Sequence, residues 1–418
     1  MAAPPTPLTR DDLARVDLTD PQTFADHDLT AYWRTLRSDH PLHRHPPSGD
    51  RPAFWVLSRY EDIVALYRDN TTFTSERGNV LITLLADGDS AAGRMVPVTD
   101  GRRHKEVRNV LLQAFSPRVL NRIGEQVRRT TRTLLATAVD RGSCDFAREV
   151  ASKVPMSTIC DLLGVPSQDR DHLLGLTKSA ISSDDQPEYT AAADAARNDI
   201  LQYFLGLVEE RRAAPQEDAV SVLAASTIDG EHLSEDEIVL NCYSLILGGD
   251  ATARLTMIDA VHSLATHPDQ WAAFKHGGVP VKRATEEVLR WASPTMHFGR
   301  TALRDTEIHS TPIRRGDVVT VWNVSANRDE SVFAEPDRFL VDRSPNRHIA
   351  FGHGPHYCIG AYLARLEISE LLLALRDFTD GFALTGPARR IYSNLLTGMS
   401  SLPVRFEPVP AEVEDLVL

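Results

Sequence analysis

With 418 residues, 42% of them apolar and 25% charged, the chain is long enough to bury a large core and has the composition of a water-soluble globular protein. The formal net charge of -13 argues against nucleic acid as a partner. No run approaches the about 20 apolar residues of a membrane span. The N-terminus lacks the basic start and apolar core of a signal peptide, so we expect no membrane association and a cytoplasmic location.

Helical patterns dominate, and we expect one mainly α unit with a small β portion over residues 1–418, of which 1–20 are loosely ordered. The elements predicted in the first half are helices at 30–38, 60–69, 104–115, 121–141, 145–163, 168–182 and 189–213, a strand at 54–57 and a loop at 182–187. Those predicted in the second half are helices at 234–267, 281–291 and 361–378, short strands at 299–324 with a hairpin turn at 314–317, and final strands with a turn at 396–398.

The four cysteines are scattered and show no metal-type pairing, which suits a reducing compartment. One of them stands in a glycine-rich stretch just before the helix predicted at 361–378, which reads Phe351-Gly352-His353-Gly354-Pro355-His356-Tyr357-Cys358-Ile359-Gly360-Ala361. A thiolate at Cys358 would lie at the amino end of that helix, where free N–H groups and the helix dipole favour an anion. The glycines let the backbone pass close to something flat and bulky, as a haem ligand requires.

The order Phe-x-x-Gly-x-x-x-Cys-x-Gly, from Phe351 through Cys358 to Gly360, resembles the haem-binding loop of the cytochrome P450 family. The resemblance extends from about Asp20 to Val404. It implies the P450 fold, in which haem b lies between the long central helix and this loop. Cys358 is then the proximal iron ligand, and the thiolate favours O–O bond cleavage.

Three further motifs resemble features of the family, and they occur along the chain in the order expected for it. Glu287 and Arg290, three apart on one helix face, resemble the Glu-x-x-Arg signature, with Arg338 as the expected third member of a structural network. His104 and Arg108 are four apart and resemble the contact to one haem propionate, although Gly101-Arg102 replaces the usual proline dipeptide. Arg300 and His356 resemble further propionate donors, and all four residues are expected to bind cofactor.

The fourth motif lies inside the proline-free helix predicted at 234–267. Adjacent glycines in a helix cost roughly 1 kcal/mol each relative to alanine, so we expect Gly248 and Gly249 to allow a close approach to the backbone. The family pattern continues with an acid and a threonine. Thr252 matches, but Ala251 occupies the acid position and the acid comes one residue earlier, as Asp250.

Thr252 and Asp250 are therefore the candidate catalytic residues. One residue is about 100° of helix rotation, so Asp250 cannot simply replace the missing acid. Protons could arrive through ordered water, through a substrate group, or from Asp250 after local unwinding. The departure leaves ordinary hydroxylation open beside less usual chemistry such as coupling or desaturation.

The resemblance also outlines a substrate pocket, bordered by residues 80–96, the loop near 182–189, Leu245, Gly248, Gly249 and the segments 295–298 and 395–397. Its apolar members are Leu245, Met296, Phe298, Leu395 and Leu396, and its polar members are Thr295, His297 and Thr397. His297 could orient a substrate carbonyl or carboxylate, or simply face bulk water. The sequence does not distinguish these two roles.

Electrons must come from outside the chain, since no flavin or iron–sulfur motif is visible, and the resemblance implies a ferredoxin and its reductase as donors. Between residues 102 and 132 nine basic and two acidic residues give a local balance of +7. Such a patch could steer an acidic ferredoxin to the cysteine side of the haem, or could simply be two solvated helix faces.

The predicted function is that of a haem-thiolate monooxygenase, which uses dioxygen to hydroxylate or otherwise oxidise a small molecule of specialised, antibiotic-type metabolism. The alternatives are an atypical oxidation on the same fold, such as coupling, desaturation or peroxide-driven chemistry, and a non-catalytic module that kept the fold. The substrate could be free or bound to a carrier protein.

Overall fold

The computed structural model describes residues 8–86, 88–181 and 190–410, which contain sixteen α-helices and fourteen β-strands. The helices are α1 Arg10–Ala14, α2 Pro21–Asp26, α3 Thr30–Asp39, α4 Tyr60–Arg68, α5 Leu81–Leu84, α6 Gly101–Gln113, α7 Pro117–Asp140, α8 Val154–Leu163, α9 Arg170–Ile181, α10 Thr190–Ala213, α11 Ala219–Ala225, α12 Glu235–Thr266, α13 Pro268–His276, α14 Val281–Ala292, α15 Asn323–Ala326 and α16 Ala361–Phe378.

The strands are short and form one larger sheet and several small ones. They are β1 Leu42–His45, β2 Phe54–Leu57, β3 Phe73–Thr74, β4 Ser143–Asp145, β5 Thr227–Ile228, β6 Glu231–His232, β7 His297–Ala302, β8 Thr306–Ile308, β9 Thr311–Ile313, β10 Val318–Trp322, β11 Thr379–Leu384, β12 Arg389–Arg390, β13 Met399–Ser401 and β14 Pro403–Pro408. The larger sheet has the order β1-β2-β10-β7-β3, and all its neighbours are antiparallel except the β2–β10 pair. A three-stranded sheet has the order β11-β14-β4.

Helix α12 lies at the centre of the main apolar core. Ser234 caps its first turn, and the Glu237 side chain completes a capping box. Its 32 residues correspond to a length of about 48 Å, and buried side chains of α7, α8, α10, α14 and α16 pack in the same cluster. Because α12 is surrounded, its apolar residues occupy more than one face. Among the helices of the described ranges, none has the length and apolar character needed to span a bilayer.

The predicted mainly α fold is confirmed, and several elements agree closely with the sequence. The strand at 54–57 and the helix at 361–378 have the predicted bounds, and α12 begins and ends within one residue of prediction. The predicted loop at 182–187 lies outside the described residues. Helix α7 begins at Pro117, four residues before its predicted start at 121. The Ser116 hydroxyl accepts from the Val119 N–H and caps the helix there.

The single helix predicted at 145–163 is wrong. This stretch contains the end of β4, a π-helical turn at Ala147–Ala151 and then α8. Pro155 lies in the first turn of α8, where its missing N–H is tolerated, whereas inside a longer helix it would remove a hydrogen bond. Asp145 accepts from the Ala147 and Leu402 N–H groups and so fixes the break against the C-terminal sheet.

Two other expectations fail. The turn at 314–317 forms, with the Asp317 N–H donating to Arg314 and Gly316 at φ +93°, but it is not a hairpin, because β9 pairs with β8 and β10 pairs with β7 and β2. Residues 8–20 are not loose: Leu13 and Leu18 are buried in an apolar cluster with residues of α3.

The buried ion network of Glu287 has a different third member from the one predicted. The Glu287 carboxylate accepts from the Arg290 guanidinium at 2.8 Å through both oxygens, and from Arg343 Nε at 3.0 Å. Arg338, the predicted partner, is exposed and pairs with Glu335. Only its carbonyl takes part, as acceptor from Arg290 and Arg343. Arg343 therefore replaces Arg338, because the chain folds back between them and turns Arg343 inward.

We predict that Arg343→Met destabilises the protein by about 3–5 kcal/mol, because it leaves the buried Glu287 charge partly unpaired. The matched change Arg338→Met removes only an exposed pair and is expected to cost less than about 1 kcal/mol. Urea unfolding of the two haem-loaded variants measures the difference. Equal losses would contradict the assignment of Arg343 to the network.

Candidate haem site

Cys358 lies between a short 3-10 turn, Gly354–His356, and the start of α16 at Ala361. The Cys358 N–H donates to the Phe351 carbonyl at 3.0 Å, which closes the loop that carries the cysteine. Gly354 has φ +70°, and a Cβ there would stand 2.4 Å from the Tyr67 carbonyl oxygen of α4. No other residue type therefore lets the loop approach α4 this closely.

The environment of Cys358 contains groups that stabilise a thiolate. Burial raises the pKa of this thiol, while the Gly360 N–H and the Arg108 and Arg365 cations act in the opposite direction. The other three cysteines are fully or partly buried, and burial raises the pKa of Cys144 and of Cys160 to about 12. Cys358 is the most exposed of the four cysteines, as suits a metal ligand.

A second acid of α14 supports the cysteine loop. Glu286 accepts from Arg365 Nε at 2.6 Å and contacts His348 Nε2 at 3.0 Å, and these hydrogen bonds lower its pKa to about 2 despite burial. Arg365 also donates to the Tyr357 hydroxyl at 3.1 Å and lies 4.6 Å over the Phe351 ring. Helix α14 thus holds the residues on both sides of Cys358 through one carboxylate.

Two predicted propionate ligands, His104 and His356, come together beside the loop. Their ring centroids are 4.2 Å apart, and His356 Nε2 lies 2.8 Å from Asp100 Oδ1. Asp100 also accepts from the Thr74 hydroxyl and the Ser75 N–H, both at 2.7 Å, and these contacts hold its pKa far below the usual value. Sequence reasoning gave Asp100 no role, although it begins the motif that contains His104.

The turn before α6 does differ from the family pattern, as expected. Gly101, the first residue of α6, has φ +62°, which proline at -65° cannot adopt. Arg108, seven residues further on, donates to the Tyr357 carbonyl at 2.5 Å, so α6 reaches the residue next to Cys358.

Arg300 completes the group of cations. It is buried in β7, donates to the Gly299 carbonyl at 2.7 Å and lies 5.8 Å over the Tyr67 ring. Burial, together with the charges of His356, Arg108 and Arg300, lowers the pKa of His104 to about 4. His104 Nε2 is buried and has no hydrogen-bond partner among the described residues. Four donors that repel one another, one of them unsatisfied, favour an anionic ligand.

The donor set fits haem b. Cys358 would supply a thiolate at the start of a helix, and His104, Arg108, Arg300 and His356 would supply donors for two carboxylates. A cysteine ligand together with carboxylate-binding cations on one side defines a haem-thiolate protein.

Comparisons with known proteins agree with this class. A family profile described as Cytochrome P450 matches residues 281–379. The chain is 46% identical over 405 residues to Cytochrome P450 NovI of Streptomyces niveus, covering 97% of this chain and 99% of that protein. It is 33% identical to a Steroid C26-monooxygenase of Mycobacterium tuberculosis, covering 94% of this chain and 98% of that protein. The solved structure of P450 OxyD, described as involved in the biosynthesis of vancomycin-type antibiotics, matches with TM-score 0.86 and 33% identity over 94% of this chain and 100% of that one.

The chain belongs to the cytochrome P450 family and is a haem b monooxygenase. The sequence-based prediction of family, enzyme class and cofactor is confirmed. The similarity extends over nearly the whole length of NovI and of OxyD, so the shared fold covers nearly all of each chain.

The two glycines of α12 have different surroundings. A Cβ on Gly249 would lie 2.9 Å from Ile159 of α8, so this glycine allows two helices to pack closely. A Cβ on Gly248 would meet no atom within 4 Å. The Thr252 hydroxyl donates to the Gly248 carbonyl at 2.9 Å, and Thr252 is half-buried. Gly249 thus allows the close approach of Ile159, whereas the backbone at Gly248 is open to an approach from outside the chain.

The structure separates the two predicted catalytic residues. Asp250 is fully buried, accepts from the Thr177 hydroxyl of α9 at 3.0 Å and lies 3.7 Å from Arg254. Burial raises its pKa. Helix α12 is continuous through this region, so local unwinding does not bring Asp250 towards Thr252. Two residues correspond to about 200° of rotation, and Asp250 instead ties α12 to α9.

The residues predicted to line the substrate pocket are only partly brought together. Ala251 and Leu255 of α12 pack with Ile391, Leu395 and Leu396 in a small apolar cluster next to Thr252. Thr295 forms an isolated bridge with Leu396, and the Thr397 N–H donates to the Pro294 carbonyl at 2.8 Å. These contacts place the turn at 395–397 against α12.

Other predicted pocket residues face different clusters. Leu245 is buried in the main helical core, Met296 packs with Leu81 and Trp322, and Phe298 packs with residues of β10. Both roles considered for His297 are wrong. It is fully buried, its Nε2 accepts from the Leu81 N–H at 3.1 Å, and burial lowers its pKa to about 3.

The basic stretch at 102–132 is largely neutralised in the fold. Six of its nine cations form ion pairs, mostly with acids from elsewhere in the chain: Arg102 with Asp229 and Glu106, Arg103 with Glu237, Arg118 and Arg122 with Glu217, Arg128 with Glu370, and Arg132 with Asp377. Lys105, Arg108 and Arg129 form no ion pair with any described residue. The local charge of +7 counted along the sequence therefore overstates the field at the surface.

We predict opposite effects for two neighbouring substitutions. Gly249→Ala should destabilise the protein by about 1–2 kcal/mol, because Ile159 is branched next to the α8 backbone and cannot turn away. Gly248→Ala should leave stability unchanged or raise it by up to about 1 kcal/mol, but it should weaken imidazole binding to the haem iron severalfold. Urea unfolding and optical titration measure the two effects, and an unchanged imidazole affinity in Gly248→Ala would contradict its placement.

Proposed function

We propose that the enzyme inserts oxygen into, or otherwise oxidises, a small organic molecule of specialised metabolism, in the cytoplasm and with electrons from a ferredoxin. The likeness to OxyD, which is involved in the biosynthesis of vancomycin-type antibiotics, supports this metabolic class. The observation that carries the chemical part is the Thr252 hydroxyl, held against Gly248 beside the apolar cluster of Leu255, Leu395 and Leu396.

Bound haem supplies dioxygen activation, and the protein supplies binding, orientation and control of water and protons. Cys358 would hold the iron, and His104, Arg108, Arg300 and His356 would hold the propionates. The Thr252 hydroxyl, which donates to the Gly248 carbonyl, would turn from that carbonyl and direct its proton towards the place where dioxygen is activated. Because Ala251 and Leu396 make its surroundings apolar, protons would reach Thr252 through ordered water or a polar group of the substrate.

We predict that Thr252→Ala lowers product formed per reducing equivalent by roughly an order of magnitude, because the hydroxyl that would direct a proton is lost. Thr256→Ala is the matched control. Its hydroxyl donates to the Thr252 carbonyl at 2.8 Å in the same arrangement one turn further on. Product and reducing equivalents are quantified together, and unchanged coupling in Thr252→Ala would disprove the assignment of Thr252.

The alternative, atypical oxidation such as coupling, desaturation or peroxide-driven chemistry, is motivated by Ala251 at the usual acid position. Labelled dioxygen distinguishes the two. Transfer of one labelled oxygen atom into product supports monooxygenation, whereas unlabelled product supports the alternative. Titration of the Soret band with candidate substrates, free and carrier-bound, then identifies which form displaces the iron-bound water.

A ferredoxin would dock on the surface around Cys358. Three of the six exposed large apolar side chains in the described ranges, Leu112, Tyr357 and Tyr362, belong to α6, the cysteine loop and the first turn of α16. Lys105 lies on α6 two turns before Leu112, and it forms no ion pair with any described residue. A small apolar patch with few available cations favours docking that depends on contact area as well as on charge.

We predict that Tyr362→Ala and Lys105→Glu each slow reduction by ferredoxin severalfold, and that only the Lys105 effect fades at high salt. Val409→Ala is the control for loss of an exposed apolar side chain. Val409 bonds to Phe378 at the far end of α16, about 26 Å from the cysteine loop. Stopped-flow reduction measures the rates, and equal rates in all variants would place the docking surface elsewhere.

A further inference from the structure

The start of β7 is bonded on two sides to segments predicted to border the substrate cavity. On one side the Met296 N–H donates to the Leu395 carbonyl at 2.9 Å. On the other side the Gly299 N–H donates to the Asn79 carbonyl at 2.8 Å, and the Leu81 N–H donates to His297 Nε2 at 3.1 Å. Among the described residues, His297 is the one side chain that joins β7 to α5 by a hydrogen bond.

Helix α5 offers no partner of its own for its first N–H group. It has four residues, Leu81–Leu84, and the Thr83 and Leu84 N–H groups donate to the Val80 carbonyl. Val80 has no polar side chain to accept from the Leu81 N–H. His297 does so from another element, and it acts as a cap supplied across the fold. The acceptor role requires a neutral ring with its proton on Nδ1, and burial keeps the pKa of His297 at about 3.

The fit between α5 and β7 is close as well as bonded. Leu81 and Leu84 are buried on the inner face of α5, while Ile82 is 65% exposed on the outer face. A Cβ on Gly299 would lie 2.5 Å from Leu84 Cδ1 and 3.1 Å from the Val319 carbonyl oxygen, so α5 rests closely on the strand at this glycine. The His297 ring itself packs against Trp322, with centroids 4.7 Å apart. The acceptor is therefore held in place before it meets Leu81.

We propose that His297 is a positioning residue: by capping the Leu81 N–H it fixes α5 against β7 in one position, and so fixes the shape of the cavity wall that α5 supplies. The proposal rests on the proposed function in one respect, namely that α5 borders the cavity that receives the substrate, as the sequence predicts for residues 80–96. The cap itself is a property of the chain and can be tested without any substrate.

The first test is hydrogen–deuterium exchange of the haem-loaded enzyme. His297→Phe keeps a ring against Trp322 but removes the acceptor, and we expect exchange in the segment 79–85 to rise roughly ten- to hundredfold. His297→Gln places an amide oxygen near the position of Nε2, and we expect it to restore most of the protection although it lacks the ring. Exchange in α16 should not change in either variant.

The second test compares two ligands of the haem iron. Imidazole is too small to reach α5, so its affinity for the haem iron should be the same in the wild-type, His297→Phe and His297→Gln proteins. The bulkier 4-phenylimidazole should bind about threefold or more weakly to His297→Phe and nearly normally to His297→Gln, because a loosened wall must be reordered on binding.

Unchanged protection at 79–85 in a folded His297→Phe enzyme would overturn the proposal, and so would equal exposure of that segment in both variants. If His297→Phe does not retain haem, the Gln variant decides. Loss of protection there in spite of its acceptor would show that the ring packing, and not the cap, holds α5. Neither result depends on monooxygenase activity, so failure of the proposal is distinguishable from failure of the proposed function.

Discussion

The cofactor-binding half of the structure depends on the carboxylate of Glu287. It is completely buried and accepts from Arg290, Arg343, the Leu340 N–H and the Asn346 side chain. A buried charge is tolerable only when it is paired and hydrogen-bonded, so the segment at 338–346 must fold back onto α14. The adjacent Glu286 holds Arg365 and His348 on either side of the cysteine loop. Two consecutive acids of α14 therefore orient the chain before and after Cys358.

The haem side of the protein is electrostatically unbalanced by itself. Burial lowers the pKa of His104 and of His356, and the charges of Arg300 and Arg108 act in the same direction on both histidines. Asp100 is the acid in contact with this group. Such an arrangement is unfavourable in a low-dielectric interior unless anions complete it, and two propionates would do so. Folding and haem binding are coupled in this view, because the ligand satisfies donors that the chain leaves unsatisfied.

Features that depend on local chemistry were predictable from the sequence, and those that depend on tertiary contacts were not. The start of α12 follows from its capping residue Ser234, and the loop that carries Cys358 is recognisable from its glycines. Arg338 and Arg343 are only five residues apart in the same polar stretch, and no local signal shows which side chain turns inward. His297 lies two residues before the β region predicted at 299–324, and its burial follows from Trp322 and α5, which are distant in sequence.

The departure at Ala251 is explained by what surrounds it. In the fold this position faces Leu255, Ile391 and Leu396, so an acid here would be buried among apolar side chains without a partner. Asp250 avoids that cost by turning to Thr177 on α9, where it stabilises the contact between two helices. Compared with the family pattern, the acid therefore differs in role as well as in position, because Asp250 joins α12 to α9 and does not lie beside Thr252. Under the proposed function, protons would come from water or from the substrate, and the second route would make proton supply depend on which molecule is bound.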